Sequence, residues 1–155
     1  MKPIQQTHKS RLEVFLDSSA IVAGIASETG ASGAVLDLCE AELVVPVISK
    51  QVVVEVDRAI SNKLPFLVEK LRVFLLELRP IMVEDPSAEA IRRAAHLTHE
   101  KDAAILAAAQ AAGVDYLLTL DKKHFLNPRQ KIKFEPPVLT PGEFLRVFEK
   151  WALRR

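Results

Sequence analysis

The sequence predicts an α/β fold built on a parallel or mostly parallel sheet with helices on both faces. Short β-branched runs alternate with helix-length segments along the whole chain, which is the pattern of strands joined by helical crossovers. The run VDYLLTLD is apolar almost throughout, as a strand buried on both faces must be. No repeat period and no low-complexity tract interrupts this alternation, which adds to the case for a sheet covered on both faces.

In order along the chain, RLEVFLDSSA comes first. Leu12, Val14 and Leu16 alternate with Glu13 and Phe15, and the run stops at three residues that favour helix N-caps, so a strand passes directly into a helix. Small residues around Ser27, Gly30 and Gly33 make a loop. AVLDLCEAEL follows as a second helix with apolar positions 35, 36, 38, 39 and 43. LVVPVIS is a short strand, and Pro46 places it near a sheet edge. QVVVEVDRAISNKL fits a strand or a helix, and length decides for the helix: there is no turn signal, and Val52, Val53, Val56, Ile60 and Leu64 recur at helical spacing. FLVEKLRVFLLEL is a helix, PIMVED a brief strand and SAEAIRRAAHL a helix capped by Ser87 with Glu89 in its first turn. The hydrophobic stripes after Leu64 read mainly as core, with a buried dimer face or a partner groove as the alternative. KDAAILAAAQAAG ends at Gly113 as helices do and feeds the VDYLLTLD strand. NPRQKIKFEPP is a turn plus a short edge strand. TPGEFLRVFEKWALRR closes the chain as a helix, with Thr140 ahead of Pro141 at the first helical position.

The chain has 155 residues, 49% hydrophobic and 26% charged. That suits one globular domain over residues 1–155, with 1–10 as a polar extension, and a core large enough to need no disulfide. The apolar runs are too short to cross a bilayer, and MKPIQQTHKSR is too polar for a secretory segment, so the expectation is a cytoplasmic protein. Cys39 sits at core spacing and reads as a small buried hydrophobe. A net charge of +1 says nothing about polyanions, because the clustering of basic groups decides that.

Four acids stand out. Asp17 lies at the carboxyl end of the first strand, where open α/β sheets bind ligands, and it reads equally as an N-cap. Glu55, among valines, lies at the rim of its helix's apolar stripe. By itself it is a boundary glutamate reaching water, Lys50 or Arg58. Asp102 is in the first turn of the alanine-rich helix, on the side of Ile105, Leu106 and Ala109, and an inward carboxylate needs a partner. Asp121 ends the VDYLLTL strand, where a turn-forming aspartate is also ordinary. Four carboxylates converging on one sheet edge would repel one another unless they held hard divalent cations such as Mg²⁺ or Mn²⁺, and those ions imply phosphoryl chemistry. The chain has no GxxxxGK[ST] loop, which disfavours a P-loop nucleotide triphosphatase. Asp17-Ser18-Ser19 lacks a second aspartate two positions on, against a haloacid-dehalogenase-like phosphatase. His96 and His99 have no third ligand of matching type and read as a solvated helical face.

The fragments VFLDSSAIVAGI, ISKQVVVEVDRAI and KDAAILAAAQAAGVDYLLTLDKKHF, in this order, resemble the PIN domain, a family of metal-dependent ribonucleases that includes VapBC-type toxins. The resemblance implies a three-layer α/β/α sandwich with a mostly parallel five-stranded sheet. It also implies Asp17, Glu55, Asp102 and Asp121 as catalytic residues and ligands of one or two Mg²⁺ or Mn²⁺ ions. Ser18 follows Asp17 where the family often has Thr. Thr119 matches the family's hydroxyl residue, and either bonds a ligand carboxylate or satisfies a backbone group. His124 falls where the family often has Asp or His. The implied activity is an RNA endonuclease, with a cognate antitoxin and a homodimer as expected partners. Lys122, Lys123 and Arg129 are candidate RNA contacts, equally a solvated basic loop. The competing readings are a catalytically silent PIN-like module that binds RNA or protein, and a structure-specific DNA nuclease on the same scaffold.

Overall fold

In the computed structural model, which describes residues 9–121 and 135–155, the sheet is organised around LEVFL. This run forms β1 (Leu12–Leu16). Val14, Phe15 and Leu16 are all fully buried, so the apparent alternation marks no solvent face: a central strand covered by helices on both sides has none. β1 pairs in parallel with β2 (Val44–Ser49) on one flank and β4 (Tyr116–Leu118) on the other. β3 (Ile81–Val83) lies outside β2, and β5 (Val138–Leu139) outside β4. The order is β3-β2-β1-β4-β5, and every described pairing is parallel. This is the expected α/β/α sandwich.

The helices fall where sequence periodicity places them: α1 (Ser18–Ala26), α2 (Ala31–Glu40), α3 (Lys50–Lys63), α4 (Val68–Leu78) after a 3₁₀ turn (Pro65–Leu67), α5 (Ala88–Ala95), α6 (Glu100–Ala112) and α7 (Pro141–Leu153). Side chains cap four of them, with Asp17 accepting from Ser18 N, Ser49 from Val52 N, Ser87 from Ala90 N and Thr140 from Glu143 N. Each such cap contributes about 1 kcal/mol. Gly113, at φ 65°, ends α6 in the left-handed conformation that a side chain would disfavour. No single helix among the described residues is long and apolar enough to cross a membrane. Cys39 is buried, and burial pushes its thiol up to about 12, so it packs as a hydrophobe.

Several expectations are corrected. β2 is not itself an edge strand, since it has neighbours on both sides, but it lies next to the edge as Pro46 suggested, and Pro46 stands at a local edge because β3 pairs only from Val47 onward. Leu43 is no core position. The helix stops at Glu40, Glu42 turns at positive φ, and Leu43 is half exposed. His96 and His99 do not share a helical face; both are exposed at the turn between α5 and α6. The strand expected within NPRQKIKFEPP lies mostly outside the described residues, and the edge strand there is Val138–Leu139. The stripes after Leu64 are only partly core, since Leu71, Phe74 and Leu78 are buried while Phe66, Val73 and Leu76 face solvent.

This topology positions a site. The chain runs β1 to β2 to β3 in one direction across the sheet, then returns to place β4 on the other side of β1. The carboxyl ends of β1 and β4 therefore flank the point where strand order reverses, and helices leaving in opposite directions open a crevice there. α1 and α2 meet at 96° behind it. Gly33 permits that crossing, because a Cβ on it would lie 2.6 Å from the carbonyl oxygens of Ser27 and Glu28. That backbone segment cannot yield as a side chain would. Gly33→Ala is therefore expected to destabilise the fold by roughly 1–3 kcal/mol, read as a lower urea midpoint with an unchanged slope.

Candidate functional site

Asp17 is the first residue after β1, and its backbone serves both neighbouring elements. Its N–H donates to Leu118 O of β4 at 3.0 Å, and its carbonyl accepts from Ala20 N and Ile21 N of α1. This places the side chain between the two strand ends, 6% exposed. Oδ1 accepts from Ser18 N at 2.8 Å, while Oδ2 accepts from Thr119 Oγ1 at 2.7 Å and Ser19 Oγ at 3.1 Å.

The two hydroxyls also accept. Thr119 Oγ1 takes the N–H of Asp121 at 3.1 Å and Ser19 Oγ that of Leu120 at 3.0 Å. Each hydroxyl has one proton. With both directed at the Asp17 carboxylate, the 3.3 Å approach of Ser19 Oγ to Thr119 Oγ1 is a packing contact. The alternatives for Thr119 are thus not exclusive, since it bonds the carboxylate and satisfies the backbone. Thr119 is fully buried, so both of its bonds are sheltered from water.

Glu55 comes from α3. Val52, Val56 and Ile60 bury one face of that helix, which leaves Glu55 half-buried at the rim and turned toward α1. Its Oε2 accepts from Ser18 Oγ at 3.0 Å and its Oε1 from Gln51 Nε2 at 3.0 Å. Ser18 therefore bridges the two acids, with its N–H on Asp17 and its hydroxyl on Glu55. Gln51 and Ser19 are additions to the sequence-predicted set. Gln51 was detectable as the i−4 neighbour of Glu55 on a helix; Ser19 had no signal beyond being small and polar.

Burial is the main cause that raises the Asp17 carboxyl above its ordinary value. The bonds from Thr119, Ser18 and Ser19 pull it back, and the charge of Glu55 pushes it up again. The remaining two acids stand further out. Asp121 is exposed, tied to the cluster through its backbone N–H on Thr119. Asp102 is half-buried in the first turn of α6, with Oδ2 shielded from solvent. Among the described residues, no three acidic, histidine or cysteine side chains converge closely enough to hold one ion. The structure brings together Asp17 and Glu55, places Asp121 beside them by its backbone, and puts Asp102 on a separate element. Lys122, Lys123, His124 and Arg129 lie outside the described residues.

A family model described as PIN domain matches residues 13–123, from the second residue of β1 to just beyond Asp121. The chain belongs to the PIN domain family. Members of this family are generally nucleases. The crystal structure of PAE2754 from Pyrobaculum aerophilum superposes on this PIN domain with a TM-score of 0.60 at 17% identity, covering 92% of this chain and 94% of that one; at that identity the likeness is one of fold. No curated protein sequence matches the chain. The donor set of the PIN site is chemically suited to a hard cation. Its acids offer oxygen, the donor type that Mg²⁺ takes, and Mg²⁺ commonly accepts one or two carboxylates while keeping several waters.

The electrostatics carry a sign. A carboxyl whose folded value is raised contributes stability that is fully present below its ordinary value and is lost as pH rises through the raised one. In metal-free protein Asp17 thus contributes less to stability as pH rises, chiefly because it is buried. Asp17→Asn keeps the helix cap, and both hydroxyls retain lone pairs to accept from an amide. Its melting temperature is expected to exceed that of the parent at neutral pH, with the difference shrinking as pH falls below the ordinary aspartate range. Calorimetric melts across pH in the presence of a chelator check this.

Proposed function

We propose that this PIN domain is a divalent-metal-dependent endoribonuclease, the toxin of a VapBC-type pair. In this reading Mg²⁺ or Mn²⁺ is held by Asp17 and Glu55 and completed by Asp102 and Asp121. The observation that supports it is the coupling of Asp17 to Glu55 through Ser18 at the strand-order reversal, where a raised, buried carboxylate stands against a second acid. Such an arrangement is unfavourable by itself and is offset by a cation.

The chain's residues divide the work. Thr119 and Ser19 hold the Asp17 carboxylate in one orientation and, by binding the N–H groups of Asp121 and Leu120, fix how the chain leaves β4. Gln51 and Ser18 fix Glu55 in the same way. With rotamers set in advance, little reorganisation remains when charge develops on the phosphate. Bound Mg²⁺ or Mn²⁺ supplies a more acidic water and charge stabilisation at the scissile phosphodiester. RNA is the proposed substrate, with Lys122, Lys123 and Arg129 as its phosphate contacts; a cognate antitoxin and a homodimer are the proposed assemblies.

A second reading, a catalytically silent module that binds RNA or protein in the same crevice, is favoured by the absence of a three-acid group among the described residues. Cleavage of matched RNA and DNA, with Mg²⁺ or Mn²⁺ and with EDTA, separates these readings. The expected result is metal-dependent RNA cleavage, abolished by chelation and lowered roughly 10²-fold or more by Asp17→Asn, Glu55→Gln or Asp102→Asn. Metal-independent cleavage untouched by Asp102→Asn would sink the mechanism, and calorimetry without divalent-ion binding would favour the silent module.

A further inference from the structure

The crevice is walled by acids, so a phosphodiester strand entering it needs a cation and apolar contact from beyond them. Two exposed side chains stand on opposite sides of Asp17, and a run of hydrogen bonds fixes the elements that carry them. Ser18 Oγ donates to Glu55 Oε2 at 3.0 Å and Ser18 N to Asp17 Oδ1 at 2.8 Å. Ser19 Oγ donates to Asp17 Oδ2 at 3.1 Å and accepts from Leu120 N at 3.0 Å. Asp17 therefore sits in the middle, with α3 on one side and the exit of β4 on the other. The strands that lead to these walls, β2 and β4, both neighbour β1, which sets the walls about 10 Å apart.

On the α3 side the residue is Arg58, one helical turn after Glu55. A glutamate and an arginine at that spacing are neighbours on a helix and commonly pair. Here they do not: the Glu55 oxygens are engaged by Ser18 and Gln51, and Arg58 is exposed with no hydrogen bond or ion pair among the described residues. Long helical side chains lean toward the helix N-terminus, so Arg58 covers the turn that carries Glu55. Its guanidinium fork matches phosphate oxygens in two parallel bonds. On the β4 side, Leu118 and Thr119 are fully buried, and the next residue, Leu120, is 49% exposed. Half-exposed leucines are ordinary on a surface. This one is distinguished by its attachment, because the hydroxyl that holds its N–H also holds the Asp17 carboxylate. An apolar side chain is thus kept in register with the acids at the mouth of the crevice, where the face of a nucleobase would cover it.

We propose that Arg58 and Leu120 set the path of the substrate strand: RNA crosses the crevice from α3 to the exit of β4, with Arg58 gripping a phosphate beside the scissile one and Leu120 packing on the face of an unpaired base on the far side of Asp17. This inference rests on the reading of Asp17 and Glu55 as a phosphodiester site. Neither residue holds the acids, so both act on the substrate alone.

Binding of a fluorescein-labelled single-stranded RNA oligonucleotide to the full chain, followed by anisotropy over a salt series with Ca²⁺ in place of Mg²⁺, tests the path, with cleavage in Mg²⁺ assayed alongside. Arg58→Ala should weaken binding roughly tenfold and lower the slope of log affinity against log salt by about 0.7, the loss of one phosphate contact on a single strand. Arg58→Lys should keep the slope and recover only part of the affinity, because the charge stays and the fork is lost. Leu120→Ala keeps the backbone N–H and should weaken binding roughly threefold or more with the slope unchanged. When abasic nucleotides are scanned along the oligonucleotide, one position should weaken the parent, and Leu120→Ala should be indifferent to that position. An Arg58→Ala variant with the parent slope, or a Leu120→Ala variant that still pays the full abasic penalty, overturns the path. A parent that binds in this way and cleaves nothing supports the path and overturns the nuclease reading alone; a parent that cleaves while both variants bind as it does overturns the path alone.

Discussion

The carboxylate of Asp17, enclosed at the end of the central strand, is the constraint around which the structure is arranged. Its backbone N–H closes the gap to β4, its carbonyl starts α1, and its side chain collects a backbone N–H and two hydroxyls. A buried ionised group is tolerated only when its hydrogen-bonding capacity is filled. Ser18, Ser19 and Thr119 do that filling, and each spends its remaining capacity outward, on Glu55, Leu120 N and Asp121 N. The path of the chain leaving β4 and the rotamer of a glutamate on α3 are thus both tied to one aspartate.

Stability and function pull against each other at this point. The hydroxyl bonds lower the Asp17 carboxyl while burial and Glu55 raise it, and burial is the largest of these effects. A protein selected only for stability would place a neutral residue here. An acid kept buried beside another acid marks a candidate functional site, and the PIN family to which the chain belongs is generally one of nucleases. The sheet resolves the tension by rigidity. Val14, Phe15 and Leu16 are enclosed on both faces, so the strand that presents Asp17 is held by burial the site itself does not supply.

The fold and the site were legible to different depths. Strand and helix order could be read because hydrophobic period, N-cap residues and Gly113 are local signals, each decided within a few residues. Pro46 marked a strand near the edge, while the extent of its free flank depends on how far a strand from another part of the chain extends alongside it. Leu43 misled because a helical stripe continued past the actual helix end. Phe66, Val73 and Leu76 look like core in a periodicity plot, yet periodicity reports only that a face is apolar and leaves open what covers it.

By itself the sequence determined the α/β class and the alternation of elements, and it offered four candidate acids, three at helix or strand ends and Glu55 at the rim of a helix, because these follow from residue type and short-range spacing. Tertiary structure decided which of those acids meet. Asp17 and Glu55 come together only because β1 and β2 are parallel neighbours, so that the helices leaving them start from the same edge, and Thr119 reaches Asp17 only because β4 returns to the opposite flank of β1. These are contacts between residues far apart in the chain, set by strand order, and no local pattern in the sequence encodes a distance across a sheet.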